Sequence, residues 1–283
     1  MEEATWYLGP LGNMRPLIVP EPDIEINEVR YGGVHQGLSG ARIMDVTGYR
    51  AEYSFEFRHL DREEYLWLEA LHTRLVPGPF YLLNPLKRNR LTQQASRLQR
   101  TEYSNSGLDF DSPYTVERDW PDEVRVPGRS VRFADWEGSE LVITFDPTKP
   151  VPLLPGETMT GSVYMKADDE YQGVFIRVSW YTEDLEFISD QEIEVDCSPE
   201  WRRMWYTYHD APTNAAAAKF KVVLGEYDED NGIYIAAPML EAGVTWPSEW
   251  ELGGGAPVVL LDQLPSVSHR YPLRNATLTL LEA

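Results

Sequence analysis

Apolar and polar residues alternate along many short stretches of this chain, with the two-residue period of a half-buried β-strand. In Tyr49–Phe57 the alternation places Ala51, Tyr53, Phe55 and Phe57 on one face. Between residues 126 and 235 such stretches recur in about eight places, separated by turns rich in proline, glycine and aspartate. This spacing predicts a mainly β protein whose middle part is a jelly-roll sandwich.

The beginning and the end of the chain predict a second β-rich structure. Strands are predicted at Asp23–Val29, Ala41–Asp45, Tyr49–Phe57, Phe80–Leu83, Val258–Leu261 and His269–Leu281. A helix is predicted after Asp61, which has the capping-box spacing to Glu64, and Pro77 ends it. Three apolar side chains share one face of this helix: Tyr65, Leu68 and Leu71. Together these elements predict a β-sandwich flanked by one helix.

Composition divides the chain in the same way. Residues 101–252 contain 31 acidic and 11 basic residues, whereas the rest of the chain contains 15 acidic and 14 basic residues. Almost all of the net charge of -21 therefore belongs to the middle segment. We predict that residues 1–98 and 254–283 form one split domain, and that residues 99–253 form a domain inserted into it.

The charge and the cysteine content restrict the function. A surface this acidic repels nucleic acid and anionic membranes, so neither is expected as a partner. The simplest interpretation is a solvated acidic face; the alternatives are a structural calcium ion in the jelly roll or a basic partner. The single cysteine, Cys197, rules out an intrachain disulfide and a cysteine-rich zinc site. No apolar run is long enough to span a bilayer and no signal peptide is recognisable, so synthesis in a reducing cytoplasm is expected.

Catalytic motifs are not recognisable. The five histidines follow no HExxH or HxH pattern, and no serine has G-x-S-x-G surroundings. Adjacent acidic residues such as Asp168-Asp169 and Glu183-Asp184 occur in turn-like sequence, where solvated carboxylates are expected. We therefore expect no enzymatic activity.

The alternation also predicts which polar and aromatic side chains of the middle segment point outward. These are Arg177, Tyr181, Trp205, Lys221 and Tyr234. A platform of the three aromatic rings would stack against sugar rings, and the two cations would bind hydroxyl groups. The alternative is that the aromatic side chains pack under loops or at a domain contact.

Three further tryptophans receive a structural interpretation. Trp201, Trp246 and Trp250 are expected in the core or at a junction.

One stretch of the split domain resembles the minor or distal tail proteins of long-tailed bacteriophages. The stretch is LDREEYLWLEALHTRLVPGPFYLLNPLKRNRLT, residues 60–92. In that family a helix, a GPF-type strand and an N-x-L-T segment precede an inserted module. The resemblance covers about residues 1–95 and 256–283, and it implies a tail-tube-like β-sandwich with one flanking helix. It also implies the virion tail tip as location, after assembly in the bacterial cytoplasm, and tube, hub and tape-measure proteins as partners of a ring-forming homo-oligomer such as a hexamer.

The middle segment resembles the jelly-roll carbohydrate-binding modules that are appended to glycoside hydrolases and phage tail proteins. The segments PGETMTGSVYMKA, SPEWRRMWYTYHDAP and IYIAAPMLEAGVTWPSEW follow the order of that family over about residues 102–251. Many relatives have an acidic residue near the position of Ala236, so a metal or sugar contact made there is not carried over to this chain.

Two hypotheses of different class follow. The first is a structural component of a phage tail tip whose inserted jelly roll binds host surface polysaccharide or is purely architectural. The second is a stand-alone carbohydrate-binding accessory protein. The interrupted first domain favours the former, because a free binding module has no need of a split partner domain.

Overall fold

A computed structural model of the chain describes residues 5–18, 20, 24–36, 40–44, 48–99, 107–126, 128–209, 211–226 and 231–283. Asp23 and Asp45, at the ends of two predicted strands, and residues 100–106, at the predicted start of the inserted domain, lie outside these ranges. Neither helix of the described chain is long and apolar enough to cross a membrane.

The elements are numbered in chain order. The first strands and helix are β1 Tyr7–Gly9, β2 Arg15–Pro16, β3 Glu25–Tyr31, β4 Val34–Gln36, β5 Arg42–Met44, β6 Gly48–Leu60, α1 Arg62–His72 and β7 Phe80–Leu83. The middle elements are α2 Gln93–Ser96, β8 Leu108–Asp109, β9 Thr115–Glu117, β10 Ser130–Phe133, β11 Leu141–Phe145, β12 Val151–Pro152, β13 Met159–Ala167, β14 Tyr171–Tyr181, β15 Phe187–Cys197, β16 Arg202–Tyr208, β17 Ala217–Leu224 and β18 Ile233–Ala242. The last strands are β19 Val258–Gln263, β20 Ser266–Arg270 and β21 Leu273–Glu282.

The chain forms two compact units. The split unit comprises Thr5–Pro10, Met14–Leu82 and Pro257–Ala283, and the jelly-roll unit comprises Leu11–Asn13 and Leu83–Ala256. The change from one unit to the other after Leu82 precedes the predicted boundary at residue 98. The physical reason is that three side chains between these positions belong to the core of the jelly roll: Leu91, Ala95 and Leu98.

The split unit is built on one antiparallel sheet of eight strands. Its order is β2-β1-β7-β19-β21-β6-β3, and β20 pairs with β21; β4 and β5 form a separate hairpin. The alternating face of β6 is buried as predicted, with Phe55 and Phe57 at most 2% exposed. Helix α1 packs against β19 and β21. Helix α1 therefore packs on the large sheet. The described strands of this unit form no second large sheet, which the predicted sandwich would need.

Helix α1 begins where the sequence predicts. Asp61 accepts a hydrogen bond from the Glu64 backbone N–H, and the Glu64 side chain accepts one from the Asp61 backbone. This capping box satisfies two backbone donors of the first turn. The helix ends at His72, five residues before Pro77, because Thr73 already leaves the helical path and its hydroxyl donates to the Glu69 carbonyl.

The jelly-roll unit consists of two antiparallel sheets. One has six strands, ordered β15-β14-β17-β11-β8 with β12 on β17, and the other has five, ordered β16-β13-β18-β10-β9. Their apolar faces form one core, in which Val174, Ile176, Val178 and Trp180 of β14 are fully buried. The mainly β fold and the eight predicted strands of this segment are confirmed as β10, β11 and β13–β18.

The incoming and outgoing segments of the jelly-roll unit lie side by side. Asn84 N–H donates to the Gly255 carbonyl at 2.8 Å, and Gly254 N–H donates to the Leu91 carbonyl at 2.7 Å. A Cβ atom added at Gly253 would lie 2.2 Å from the Leu91 carbonyl oxygen. Only glycine permits so close an approach of two backbones.

Candidate functional site

The outer face of the six-stranded sheet carries a row of polar side chains across five strands. Pairing of β15, β14, β17, β11 and β8 places Glu192, Arg177, Lys221, Thr144 and Asp109 side by side. Successive residues of a strand point to opposite faces, so these side chains lie opposite the buried core of β14. We call these five residues the charged row.

Arg177 is the centre of an ion-pair group within the charged row. Its Nε donates to Glu192 Oε2 at 2.6 Å, and its Nη1 lies 3.9 Å from Asp190 Oδ2. The Arg177 side chain is 18% exposed, so the guanidinium is shielded but reachable from solvent. Fixed in this way, it presents its remaining N–H groups in a defined orientation.

Lys221, next to Arg177, has no hydrogen bond or ion pair to a described residue. Burial lowers the pKa of its amine, and the neighbouring Arg177 and Lys219 lower it further against the opposite influence of Asp190. A half-buried ammonium group without an acceptor gains from a ligand oxygen placed within its reach.

Aromatic side chains flank the charged row. Tyr181 and Phe187 are in edge contact, with ring centroids 6.0 Å apart, and Phe187 is 58% exposed. Lys219 Nζ lies 5.2 Å from the Tyr181 ring centroid and donates to the Pro147 carbonyl. Burial raises the pKa of the Tyr181 hydroxyl, so this group remains a hydrogen-bond donor at neutral pH. Phe175 is half-buried and lies two residues before Arg177, on the same face of β14.

The predicted single platform is wrong, because its members lie on two different sheets. Arg177, Tyr181 and Lys221 come together on the six-stranded sheet, whereas Trp205 of β16 and Tyr234 of β18 belong to the five-stranded sheet. Alternation along a strand predicts which side chains share a face of that strand, and it carries no information about which sheet the strand joins.

Tyr234 is enclosed by charged groups on its own sheet. Lys166 Nζ lies 4.4 Å from its ring centroid, the Arg132 guanidinium 5.5 Å from it, and the Trp201 ring centroid 6.3 Å from it. Tyr234 is thus engaged with side chains of its own sheet and is not part of the charged row.

Trp205 packs against Trp246, and their ring centroids are 4.5 Å apart. Trp246 is 70% exposed, so its expected position in the core or at a junction is wrong. Trp201 and Trp250 are partly buried and pack against a small cluster formed by Val124, Tyr164, Ala236 and Ala237. Ala236 thus lies in apolar surroundings.

The sequence reasoning missed several members of the outer face: Thr144, Phe175, Phe187, Asp190, Glu192 and Lys219. Phe175 lies two residues before Arg177 on the same strand, so the alternation could have predicted that the two share a face. The others depend on the register between strands, which the alternation of a single strand does not define.

Metal ligands are not grouped in the described part of the chain. No three histidine, cysteine, aspartate or glutamate residues there are placed to hold one ion. Cys197 is buried, and burial raises the pKa of its thiol to about 12, so it is unreactive at neutral pH.

The similar proteins found for this chain are solved structures. No protein-family model matches the chain, and no curated protein matches it. The enzymatically active domain of tailspike protein 4 of bacteriophage CBA120 aligns with 54% of this chain and 21% of its own, at 12% identity and a TM-score of 0.43. TmCBM61 in complex with β-1,4-galactotriose aligns with 50% of this chain and 98% of its own, at 17% identity and a TM-score of 0.32.

A third similar structure comes from carbohydrate-binding modules of the β-sandwich super family. It aligns with 84% of this chain and 84% of its own, at 9% identity and a TM-score of 0.37. The match to the CBA120 tailspike domain spans about a fifth of that chain's length.

Proposed function

We propose that this protein is a structural component of a phage tail tip, a distal or minor tail protein, whose jelly-roll unit binds host surface polysaccharide. The binding surface is the outer face of the six-stranded sheet. The observation that carries the binding proposal is the charged row with Lys221 at its centre, flanked by Tyr181, Phe187 and Phe175.

This combination suits a sugar chain for a physical reason. Aromatic rings stack against the C–H faces of sugar rings, and fixed polar groups bind the hydroxyl groups at the edges. Lys221 and Arg177 supply donors, Glu192 and Thr144 supply acceptors, and the row runs across the strands as a long polymer would.

The tail-tip part of the proposal is supported by the ordered motifs of residues 60–92 and by the interruption of the split unit. In this role the split unit assembles into a ring with tube, hub and tape-measure proteins, and the jelly-roll unit binds the host polysaccharide. Antibody labelling of purified virions tests this location directly. A label found only in the unassembled fraction would favour the stand-alone accessory protein.

The proposal includes no bond cleavage. The two neighbouring carboxylates of the face, Asp190 and Glu192, both lie beside the Arg177 guanidinium. Each of these carboxylates is thus engaged in an ion pair within the face.

The binding proposal predicts that Tyr181→Ala weakens retention on bacterial cell-wall polysaccharide about fivefold, since a stacked ring contributes on the order of 1 kcal/mol. The measurement is a pull-down on a panel of purified wall polysaccharides, with thermal melting recorded in parallel. Trp205→Ala is the matched control, because Trp205 lies on the other sheet. Equal binding by Tyr181→Ala together with weaker binding by Trp205→Ala would overturn the assignment of the face.

A further inference from the structure

A cavity lies in the jelly-roll unit, and none of its lining residues belongs to a strand of the charged row. It is formed by the segment that follows α2, the connection between β9 and β10, and the segment that follows β18. Its volume is about 580 Å³, within the range of roughly 300–1,000 Å³ that is usual for small-molecule sites.

Two tryptophans form a corner in this cavity. The ring centroids of Trp120 and Trp250 are 5.9 Å apart, and their planes meet at 79°. Trp250 is held by a hydrogen bond from its Nε1 to the Pro238 carbonyl. Gly128 fits closely against Trp120, since a Cβ atom added there would lie 2.6 Å from the indole ring. Both rings of the corner are therefore held by contacts within the unit.

The indole N–H of Trp120 is a buried donor with no acceptor among the described residues. A buried donor without a partner costs free energy, roughly 1–3 kcal/mol. Because protein atoms cover this N–H group, a ligand in the cavity contacts the ring of Trp120 and not its donor.

The charge of the cavity is opposite to that of the segment around it. Residues 101–252 are strongly acidic, yet Arg97 and Arg129 line the cavity, and neither forms an ion pair in the described part of the chain. The carboxylate that lines it, Glu251, accepts hydrogen bonds from the backbone N–H groups of Arg88 and Asn89. Its charge is thus partly compensated by backbone donors, whereas no carboxylate of the described residues pairs with the two guanidinium groups.

We propose that this cavity binds an acidic sugar unit, a pyranose ring that carries a carboxylate. The C–H face of the ring stacks in the corner of Trp120 and Trp250, and the carboxylate binds Arg97 and Arg129. The site is separate from the charged row and does not depend on it.

The test is calorimetric titration of the full-length protein with trigalacturonate and with its methyl ester, which has the same rings without the charge. We expect the acid to bind at least fivefold more tightly than the ester, and Arg129→Gln or Arg97→Gln to weaken binding of the acid about five- to tenfold. Both arginines are exposed, so these variants should melt like the wild type.

Arg125→Gln is the matched control. Arg125 lies in the same connection, is 84% exposed and pairs with Glu249 outside the cavity, so binding should not change. The indole N–H signal of Trp120 is identified in the NMR spectrum as the one that is missing in Trp120→Phe. In the wild type this signal should shift when trigalacturonate is added.

Three results of the titrations described above would overturn the proposal, and a fourth comes from a variant of the charged row. These are no binding of trigalacturonate by the wild type, equal binding of acid and ester, or full binding by both Arg97→Gln and Arg129→Gln. Loss of trigalacturonate binding in Lys221→Gln alone would also overturn it, because that result places the ligand on the charged row. If the cavity does not bind trigalacturonate, the predicted retention on wall polysaccharide and its dependence on Tyr181 still stand. The two proposals can therefore fail independently.

Discussion

Asp146 is a carboxyl group held in the interior of the jelly-roll unit. It is 1% exposed and accepts hydrogen bonds from the Thr92 hydroxyl and, at 2.7 Å, from the Thr92 backbone N–H. Burial raises its pKa to about 7, although the bonds from Thr92 and the charge of Lys149 act in the opposite direction. Its φ of 52° lies in the left-handed region, which aspartate and asparagine tolerate better than most residues.

We expect the stability of the jelly-roll unit to fall as the pH rises from about 4 to about 7, and Asp146→Asn to remove this dependence. In that window the folded state keeps a proton that the unfolded state has released, so a higher pH favours unfolding by up to ~1.4 kcal/mol per pH unit. Above the folded-state pKa this contribution stays lost.

The asparagine variant keeps the contact with Thr92, because its amide accepts from the N–H and donates to the hydroxyl. Urea unfolding of the two proteins at several pH values between about 4.5 and 8 measures the difference between them. Parallel stability curves for wild type and Asp146→Asn would show that the carboxyl group does not titrate in this range.

Individual side chains of the candidate site were only partly predictable. The alternation in β14 and β17 correctly placed Arg177, Tyr181 and Lys221 on an outer face, since their buried neighbours were plainly apolar. It could not place Trp205 and Tyr234 on the other sheet, because sheet membership depends on pairings between strands far apart in sequence.

At the scale of elements, long strands and α1 were predictable because each is defined by its own periodicity or cap. The short elements α2, β8, β9 and β12 were not. Their two to four residues carry no period, and partners elsewhere in the chain hold them: β12 pairs with β17, and β8 pairs with β11. The N-x-L-T segment before α2 was recognised as a motif, but its physical role appears only in the structure.

That role is to fix the incoming segment on the jelly roll. Asn89 is fully buried, and its amide nitrogen donates to the carbonyls of Pro238 and Glu251. Its oxygen accepts from the backbone N–H groups of Leu91 and Leu240. All four hydrogen-bonding positions of the side chain are therefore used.

Asn89→Ala should destabilise the jelly-roll unit by about 2–4 kcal/mol, since it leaves buried backbone donors and acceptors without partners. Chemical denaturation followed by tryptophan fluorescence measures the loss. Arg88→Ala is the matched control, because the Arg88 side chain is exposed and the change should stay within about 0.5 kcal/mol. A loss of less than about 1 kcal/mol in Asn89→Ala would mean that water or local rearrangement replaces the lost bonds.

At the scale of the whole molecule, the structure has two units, and the change in charge along the chain does not define where one of them ends. Charge is a property of the surface, whereas a unit is defined by the core into which its apolar residues pack. The segment of residues 84–98 contains four basic and no acidic residues, unlike the strongly acidic segment that follows it, yet Leu91 and Leu98 pack into the jelly roll.

This division predicts different outcomes for two deletions. Replacing residues 84–255 by a short Gly/Ser linker should leave a folded split unit, because Asn84 and Gly255 are hydrogen-bonded neighbours and the ends are therefore close together. Replacing residues 100–252 instead leaves Leu91, Ala95 and Leu98 without their core, and this product should aggregate. Residues 84–255 expressed alone should melt cooperatively. Thermal melting and gel filtration of the three products measure these outcomes, and an unfolded first product beside a folded second one would place the boundary near residue 98 after all.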